Sequence, residues 1–248
     1  MNTNISKKRL DTLLTDLGFA QSRERARAII LAGNVLVDER PVTKAGQMVA
    51  EKSKIFVKKK DHPYVSRGGV KLAAALQKFG IDPSDKIALD IGASTGGFTD
   101  CLLQLGARKV WAIDVGKNQL DYRLRTDPRV ISMEGVNARE IDQALITDPI
   151  DIVVADVSFI SLRLAVPPLL PALGKEARLI LLAKPQFEAG RTKVGKGGIV
   201  KDAAIHKEVI DRLVSFFVKL GLDHHGVCES PIEGRKGNRE YFIYFRSG

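Results

Sequence analysis

The sequence predicts an α/β protein in two parts: a small basic module of helices and short strands, then a larger domain with a doubly wound, mostly parallel sheet. Three observations predict it. From about residue 64 onward, apolar runs alternate with helical patterns. One of those runs, Ile87-Ala88-Leu89, enters the glycine-rich stretch Asp90-Ile91-Gly92-Ala93-Ser94-Thr95-Gly96-Gly97-Phe98-Thr99-Asp100, and the chain leaves it as a helical pattern. That is the order strand, loop, helix. The positive charge is also unevenly placed: residues 1–60 hold 13 Lys and Arg against six Asp and Glu, whereas residues 61–248 hold 26 against 23.

With 248 residues and 44% hydrophobic composition, the chain can bury a sizeable core and suits two domains or one domain with an appendage. A net charge of +10 and a pI near 9.6 point to a polyanionic partner, gripped mainly by the N-terminal quarter. Cys101 and Cys228 are too few and too far apart for a disulfide framework or a zinc pattern, which fits a reducing cytosol. The first eight residues lack the apolar core of a signal peptide, and no apolar run approaches the roughly 20 residues of a membrane helix. The expectation is a cytoplasmic protein with no membrane partner.

In the basic module, Leu10, Leu13, Leu14 and Leu17 recur at i, i+3, i+4 and i+7, so residues 8–17 read as an amphipathic helix stopped by Gly18. Ser22 is placed to cap a second helix, Arg23 to Leu31, closed by Gly33. Arg23 and Arg27 stand one turn apart on one face of it, while Ala26, Ile29 and Ile30 face inward. Val35-Leu36-Val37, a turn at Asp38-Glu39-Arg40-Pro41, then Val42, and Ile55-Phe56-Val57 supply short strands. The run Leu10-Asp11, Leu14, Leu17-Gly18, Ser22-Arg23, Ala26, Ile29-Ile30, Ala32-Gly33, Val35 and Val37 resembles the S4 RNA-binding domain over roughly residues 7–58. In that family the second helix and the loop after it meet RNA backbone, so the resemblance implies Arg23, Arg27 and Lys44 as RNA contacts. S4 domains usually carry Asn-Gly or Asp-Gly at the turn. Asp38-Glu39-Arg40 departs from that pattern and leaves the turn geometry open.

The charged stretch from Lys58 to Pro63 reads as the start of a linker, since Pro63 disfavours helix at His62. The expected division is a module over 1–60, a linker over 61–69 and a second domain over 70–248. A helix follows from Val70 to Phe79, with Val70, Ala73 and Leu76 as its buried stripe. Lys71 lies off that stripe near the helix start, where a cation opposes the helix dipole by a few tenths of a kcal/mol, a hint of another purpose.

The glycine loop excludes two common ligands. A phosphate-cradling P-loop needs Lys after its last glycine, and Phe98 stands there; a dinucleotide fingerprint needs Gly at 94, and Ser94 stands there. What remains, D-x-G-x-x-x-G-G, suits a nucleoside-type ligand approached closely by bare backbone at Gly92, Gly96 and Gly97. A tight strand-to-helix turn with no ligand is the competing reading. Lys109 to Val115 forms the next strand and carries Asp114, 22 residues after Gly92, where a ribose-binding carboxylate belongs. Val130-Ile131-Ser132-Met133 is a third strand, followed by Asn137. Ile150 to Ala155 is the fourth and most apolar, closed by Asp156, and Arg178 to Ala183 is the fifth, closed by Lys184. Residues 186–201, rich in Gly and Lys, read as a mobile loop above the sheet. An amphipathic helix, Ile205 to Leu220, and closing strands near 224–228 and 240–245 complete the order. Three acids and a lysine thus end strands along one sheet edge, the edge that binds ligands in open parallel sheets. His224 and His225 are adjacent and would face opposite sides of a strand, so no metal site is expected.

At this point the chain resembles the TlyA family, an S4 domain fused to an RrmJ/FtsJ-like ribose methyltransferase domain. The carrying motifs are Ser66-Arg67-Gly68-Gly69-Val70-Lys71-Leu72, the Asp90–Asp100 loop, Asp156-Val157-Ser158-Phe159-Ile160-Ser161, Leu182-Ala183-Lys184-Pro185-Gln186-Phe187-Glu188 and Gly237-Asn238-Arg239-Glu240-Tyr241. The resemblance implies a Rossmann-like class I methyltransferase fold with an antiparallel closing strand. It implies 2′-O-methylation of ribosomal RNA, with ribosomal RNA or ribosomal subunits as partner, using S-adenosylmethionine and no metal. It also implies a catalytic tetrad of Lys71, Asp156, Lys184 and Glu240. For the cofactor, the expected contacts are Asp90, Gly92, Ser94, Gly96, Gly97, Phe98, Asp114, Asn137 and Asp156. Arg67, Lys193 and Lys196 are further expected holders of RNA phosphate, against the bland reading of solvated loop cations.

The chemistry suits that tetrad. A ribose 2′-hydroxyl is a poor nucleophile until its proton is leaving, so the site needs alignment and a base. Lys184 is the candidate base. Burial and the second cation Lys71 favour its neutral form, Asp156 favours the charged one, and Asp156 and Glu240 orient the lysines and the ribose. Two rival functions remain: a membrane-active haemolysin, the label some family members carry, and an RNA-binding module that has lost its cofactor. The first lacks a spanning segment; the second is argued against by the complete tetrad and loop.

Overall fold

Leucines spaced three and four apart build the core of the smaller of two units. The computed structural model describes residues 6–20, 22–57, 62–141, 145–190, 193–195, 197–234 and 237–248, and the chain divides into Met1–Pro63 and Tyr64–Gly248. The smaller unit runs β1 (Lys7–Arg9), α1 (Leu10–Asp16), α2 (Arg23–Leu31), β2 (Val35–Val37), β3 (Arg40–Pro41), β4 (Met48–Ala50) and β5 (Ile55–Val57). Leu10, Leu13, Leu14, Ala26 and Ile30 pack with Val35, Val37, Val42 and Val49. Lys8 and Arg9, expected as helix, belong instead to β1, which pairs antiparallel with β4. Leu17, expected in the buried stripe, is 52% exposed, because the helix ends at Asp16 and the chain reverses at Gly18 with φ of 74°. Ser22 caps α2 as expected, its hydroxyl accepting the Arg25 N–H at 3.2 Å.

The turn left open by the sequence is a two-residue hairpin between β2 and β3. Asp38 and Glu39 both take positive φ, 48° and 66°, the type I′ geometry that Asn-Gly usually supplies. Asp38 is held there from β5's side: its carboxylate accepts the Lys54 N–H and its own N–H donates to the Lys54 carbonyl, both at 2.9 Å.

The larger unit begins with α3 (Gly68–Phe79), then β6 (Ile87–Ile91), α4 (Gly97–Gln104), β7 (Lys109–Asp114), α5 (Tyr122–Arg125), β8 (Val130–Glu134) and β9 (Ile150–Ala155). It continues with α6 (Leu162–Ala165), a 3₁₀ turn over Pro167–Ala172, β10 (Leu173–Ala183), α7 (Pro185–Glu188), α8 (Ala203–Lys219), β11 (Leu222–Glu229) and β12 (Tyr241–Ser247). The seven strands lie in the order β11-β12-β10-β9-β6-β7-β8. Strands β6 to β10 are parallel to one another, and β12 runs antiparallel between β10 and β11. Alternate residues of the central strands feed two cores. Leu89, Ile91, Val153 and Leu181 point toward α6 and α8, and Ala88, Ile152, Val154 and Ile180 toward α3 and α4. Burial on both faces is why these strands read as unbroken apolar runs.

Three expectations change here. The linker expected over 61–69 is shorter: from Tyr64 the chain packs into the larger unit, with Val65 buried and its N–H given to the Asp100 carboxylate at 2.6 Å. Helix α3 buries Leu72, Ala75 and Leu76, while Val70 and Ala73 are half-buried. The phase is set by Gly69, where a Cβ would lie 2.3 Å from the Tyr64 ring. The stretch 186–201 starts with the helical turn α7. It is pinned again at Val200, whose N–H donates to Asn238 at 3.1 Å and whose carbonyl bonds His206 at 2.8 Å. Among the described residues no helix is long and apolar enough to cross a membrane.

Candidate active site

Strand β6 is the switch point of the sheet: its chain neighbour β7 lies on one side and β9 on the other. Open α/β sheets bind ligands at that place, beyond the strands' C-terminal ends. Each glycine of the loop after β6 answers to a different neighbour. A Cβ on Gly92 (φ 83°) would lie 2.7 Å from the Asp156 carbonyl oxygen, one on Gly96 2.2 Å from Leu124, and one on Gly97 2.2 Å from the Ser66 hydroxyl. The loop is thus wedged between β9, α5 and the start of α3.

A cleft of about 720 Å³ opens above the loop. All four residues of the expected tetrad line it. They form two ion pairs: Nζ of Lys184 lies 2.5 Å from Asp156, and Nζ of Lys71 lies 2.6 Å from Glu240. Lys184 also donates to the Ser158 hydroxyl at 3.0 Å. Pro185 opens α7 directly after Lys184, so Lys184 stays extended and its side chain enters the cleft. Lys71 reaches in from the first turn of α3, which answers the puzzle of its position. Glu240 precedes β12 and packs over Gly234, where any Cβ would meet its carboxylate. Gln186 approaches the other Glu240 oxygen at 3.5 Å.

Of the expected cofactor contacts, Gly92, Ser94, Gly97, Phe98, Asp114, Asn137 and Asp156 line the cleft; Asp90 and Gly96 do not. Asp90 lies within β6, fully buried, and accepts the N–H and hydroxyl of Thr99 at 2.9 and 2.7 Å, so it fixes the start of α4. Burial, reinforced by the nearby carboxylates of Asp156 and Asp114, pushes its carboxyl up to about 7. Asp114 accepts the N–H groups of Ser94 and Gly116 at 2.8 and 2.7 Å, tying two loops together. The Asn137 side chain bonds Glu140 and the Arg139 N–H.

The expected RNA contacts are divided between the two units. Arg67 lies on the cleft rim. Lys193 is paired with Glu208 at 2.5 Å. Arg23, Arg27 and Lys44 are exposed on the smaller unit, and Lys196 lies outside the described residues. Sequence reasoning gave no role to Ser158, Phe159 or Gln186, although all three stand inside the runs Asp156–Ser161 and Leu182–Glu188 that carried the family resemblance. Phe159 is unusual: the residue is 85% exposed, its φ is 66°, and its ring centroid lies 5.1 Å from that of Phe187, the rings tilted by 49°, beside Lys184.

Comparison with known proteins matches residues 64–247 to the FtsJ-like methyltransferase family and residues 8–55 to the S4 domain. A Bacillus subtilis protein named as an rRNA methyltransferase, YqxC, is 46% identical over 239 residues, covering 96% of this chain and 85% of its own. The 16S/23S rRNA (cytidine-2′-O)-methyltransferase TlyA of Mycobacterium tuberculosis is 40% identical over 242 residues, covering 97% and 90%. A solved Streptococcus thermophilus structure bearing a hemolysin label is 40% identical, covers 98% of this chain and 89% of its own, and superposes with a TM-score of 0.76.

Proposed function

We propose that this chain, which belongs to the TlyA family of S4-bearing FtsJ-like methyltransferases, methylates a ribose 2′-hydroxyl of ribosomal RNA using S-adenosylmethionine. The target we assign is a cytidine, as in the name of the Mycobacterium relative. The observation that carries this reading is the meeting of Lys71, Asp156, Lys184 and Glu240 in one cleft with the loop after β6.

The cleft's donors and acceptors suit such a cofactor. Each Asp114 oxygen takes one backbone N–H and keeps a lone pair for a ribose hydroxyl. Ile113, Val115, Val136 and Ala138 give an apolar wall for a purine. One oxygen of Asp90 is buried without a protein donor. On this reading Asp114 holds the ribose, Asn137 the adenine edge, and Gly92, Ser94, Gly97 and Phe98 the methionine end. Asp90 and Gly96 act one layer back, by fixing the loop. The bound cofactor supplies a methyl group already activated on positive sulfur, which leaves the protein to align an acceptor and take a proton.

Lys184 is the base in this mechanism. Asp156 and Ser158 fix its Nζ, so that in the neutral amine the lone pair is aimed rather than free to rotate. That lone pair accepts the proton of the 2′-hydroxyl as the oxygen acquires its methyl group. Lys71 and Glu240 neutralise each other and orient the ribose. Phe159 offers a flat exposed face to a base, held in a backbone conformation that costs about 1–3 kcal/mol in such residues. The test is transfer of labelled methyl to unmethylated ribosomal subunits, followed by mapping of 2′-O-methyl positions. New 2′-O-methylcytidine is expected; methylation of a base, or none, overturns the reading.

A further inference from the structure

Glu188 is a buried acid that the mechanism above does not use. It is the last residue of α7, 5% exposed, and its side chain crosses to the segment that follows β9. One oxygen accepts the Ser161 hydroxyl at 2.6 Å and the other accepts the Leu162 N–H at 2.8 Å. Its own backbone is anchored from a third element, because the Arg212 guanidinium on α8 donates to the Glu188 carbonyl.

The two segments joined in this way carry the proposed base and its partners. Strands β9 and β10 lie side by side as far as the pair of Ala155 and Leu181. Beyond that pair the ladder ends, and the two chains run on separately, with Asp156 and Ser158 on one and Lys184 on the other. Lys184 bridges them through Asp156 and Ser158. A few residues further along, Glu188 bridges them again at Ser161 and Leu162. Both segments are therefore fixed at two ends, by backbone pairing within the sheet and by a carboxylate beyond it. The rings of Phe159 and Phe187 meet between those fixed points.

Helix α6 has a cap without this acid. The Ser161 hydroxyl accepts the Arg163 N–H at 3.2 Å, the local bond that serves most helix starts. A carboxylate brought from 27 residues away and met here by two neutral donors carries a burial cost that a local cap avoids. What the distant acid adds is a fixed spacing between the two segments, set by the length of its side chain.

We propose that Glu188 is a positioning residue for methyl transfer, which ties the segment after β9 to the segment after β10 and so holds Lys184 against Asp156 and Ser158. This role rests on the reading of Lys184 as the base and extends it to an acid outside the tetrad.

The test is steady-state methyl transfer to unmethylated ribosomal subunits, with cofactor affinity from calorimetry and a thermal melt for each variant. Glu188→Ala opens the tie, and Glu188→Asp keeps the charge but falls short by one methylene. Both should lower kcat about 10- to 100-fold, the scale of a misplacement near 1 Å, while KM for subunits and cofactor affinity stay within about twofold. Glu188→Gln keeps the length and an acceptor for the Leu162 N–H, so it should restore kcat to within about threefold of the wild type. Should Glu188→Ala fail to fold, Ser161→Ala decides, since it removes one bond of the tie and leaves the other; kcat should fall about fivefold with KM unchanged. Wild-type kcat in Glu188→Ala or in Ser161→Ala overturns the positioning role, as does a joint loss of kcat, subunit affinity and cofactor affinity that follows the melting temperature. Higher activity in Glu188→Asp than in Glu188→Gln overturns it too, because charge and not length would then matter. All of these leave the proposed function standing. No ribose methylation by the wild-type chain, or near-wild-type activity of Lys184→Ala run alongside, overturns the mechanism on which the role rests.

Discussion

The two units handle paired charge in opposite ways. In the smaller unit the acid is hidden and the cations are outside: Asp11 is covered, while Arg9 and Arg23 are about half exposed. In the cleft both partners of each pair are largely covered, Lys71 with Glu240 and Lys184 with Asp156. The residue types follow that difference. Guanidinium stays charged under all conditions and presents a rigid fork, which suits charge turned outward to solvent. The lysine amine is compact and can lose its proton, which suits the base proposed for Lys184. The same two ingredients, acid and base, leave charge facing outward when only the acid is covered and a sheltered pair when both are.

That contrast can be broken experimentally, beginning where the effect is largest. Lys184→Ala should lower methyl transfer at least a hundredfold, the usual scale for a lost general base. Calorimetry should show the cofactor still binding; near-full activity would mean that the covered lysine is not the base. Lys71→Met leaves Glu240 covered and unpaired, which should cost about 3–5 kcal/mol in urea unfolding. The double variant Lys71→Met with Glu240→Gln should recover most of that loss without recovering activity. A loss below about 1 kcal/mol in the single variant would show the pair to be solvated in practice.

A third fully buried acid sharpens the comparison through pH. Asp90 has only neutral donors, and its carboxyl is raised from 3.8 to about 7, so its share of stability is present below about pH 4 and is lost as pH rises through 7. Asp11 is lowered from 3.8 to about 2, so its share is present above about pH 4 and is lost as pH falls through 2. Denaturation curves of Asp90→Asn should therefore gain on the wild type between pH 5 and 8. A gap that stays constant with pH would show that Asp90 is already ionised at pH 5. At the small end, Lys207→Ala removes an exposed i,i+4 pair with Asp211 and should shift stability by no more than about 0.5 kcal/mol.

Much of this architecture was legible in the residues. The buried strands announced themselves as apolar runs because both faces are covered, and α8 did so by its periodicity. Lys71, Asp156, Lys184 and Glu240, identified through the family resemblance, do line one cleft. What was hidden depends on partners distant in sequence. Residues 7–9 become a strand only because Met48–Ala50 lies alongside. The phase of α3 is set by the Tyr64 ring over Gly69, which no stripe count within the helix can reveal. Asp90 looked like a ligand contact from its place at a strand end, yet its side chain turns toward Thr99 because successive residues of a strand face opposite ways. The loop glycines looked like room for a ligand, and three of them are equally room for β9, α5 and α3.

The contact at Gly92 also acts as a ruler. The Asp156 N–H donates to the Ile91 carbonyl at 2.9 Å, and no side chain separates Gly92 from the Asp156 backbone. The loop proposed to face the methyl donor and the acid proposed to aim the base are therefore separated by one backbone hydrogen bond between adjacent strands. Sliding β6 against β9 by a single residue would displace donor from acceptor by about 3.3 Å, roughly a full bonding contact. On the proposed mechanism the reach of the transfer is calibrated by the register of the two central strands, and the side chains around it only refine the aim.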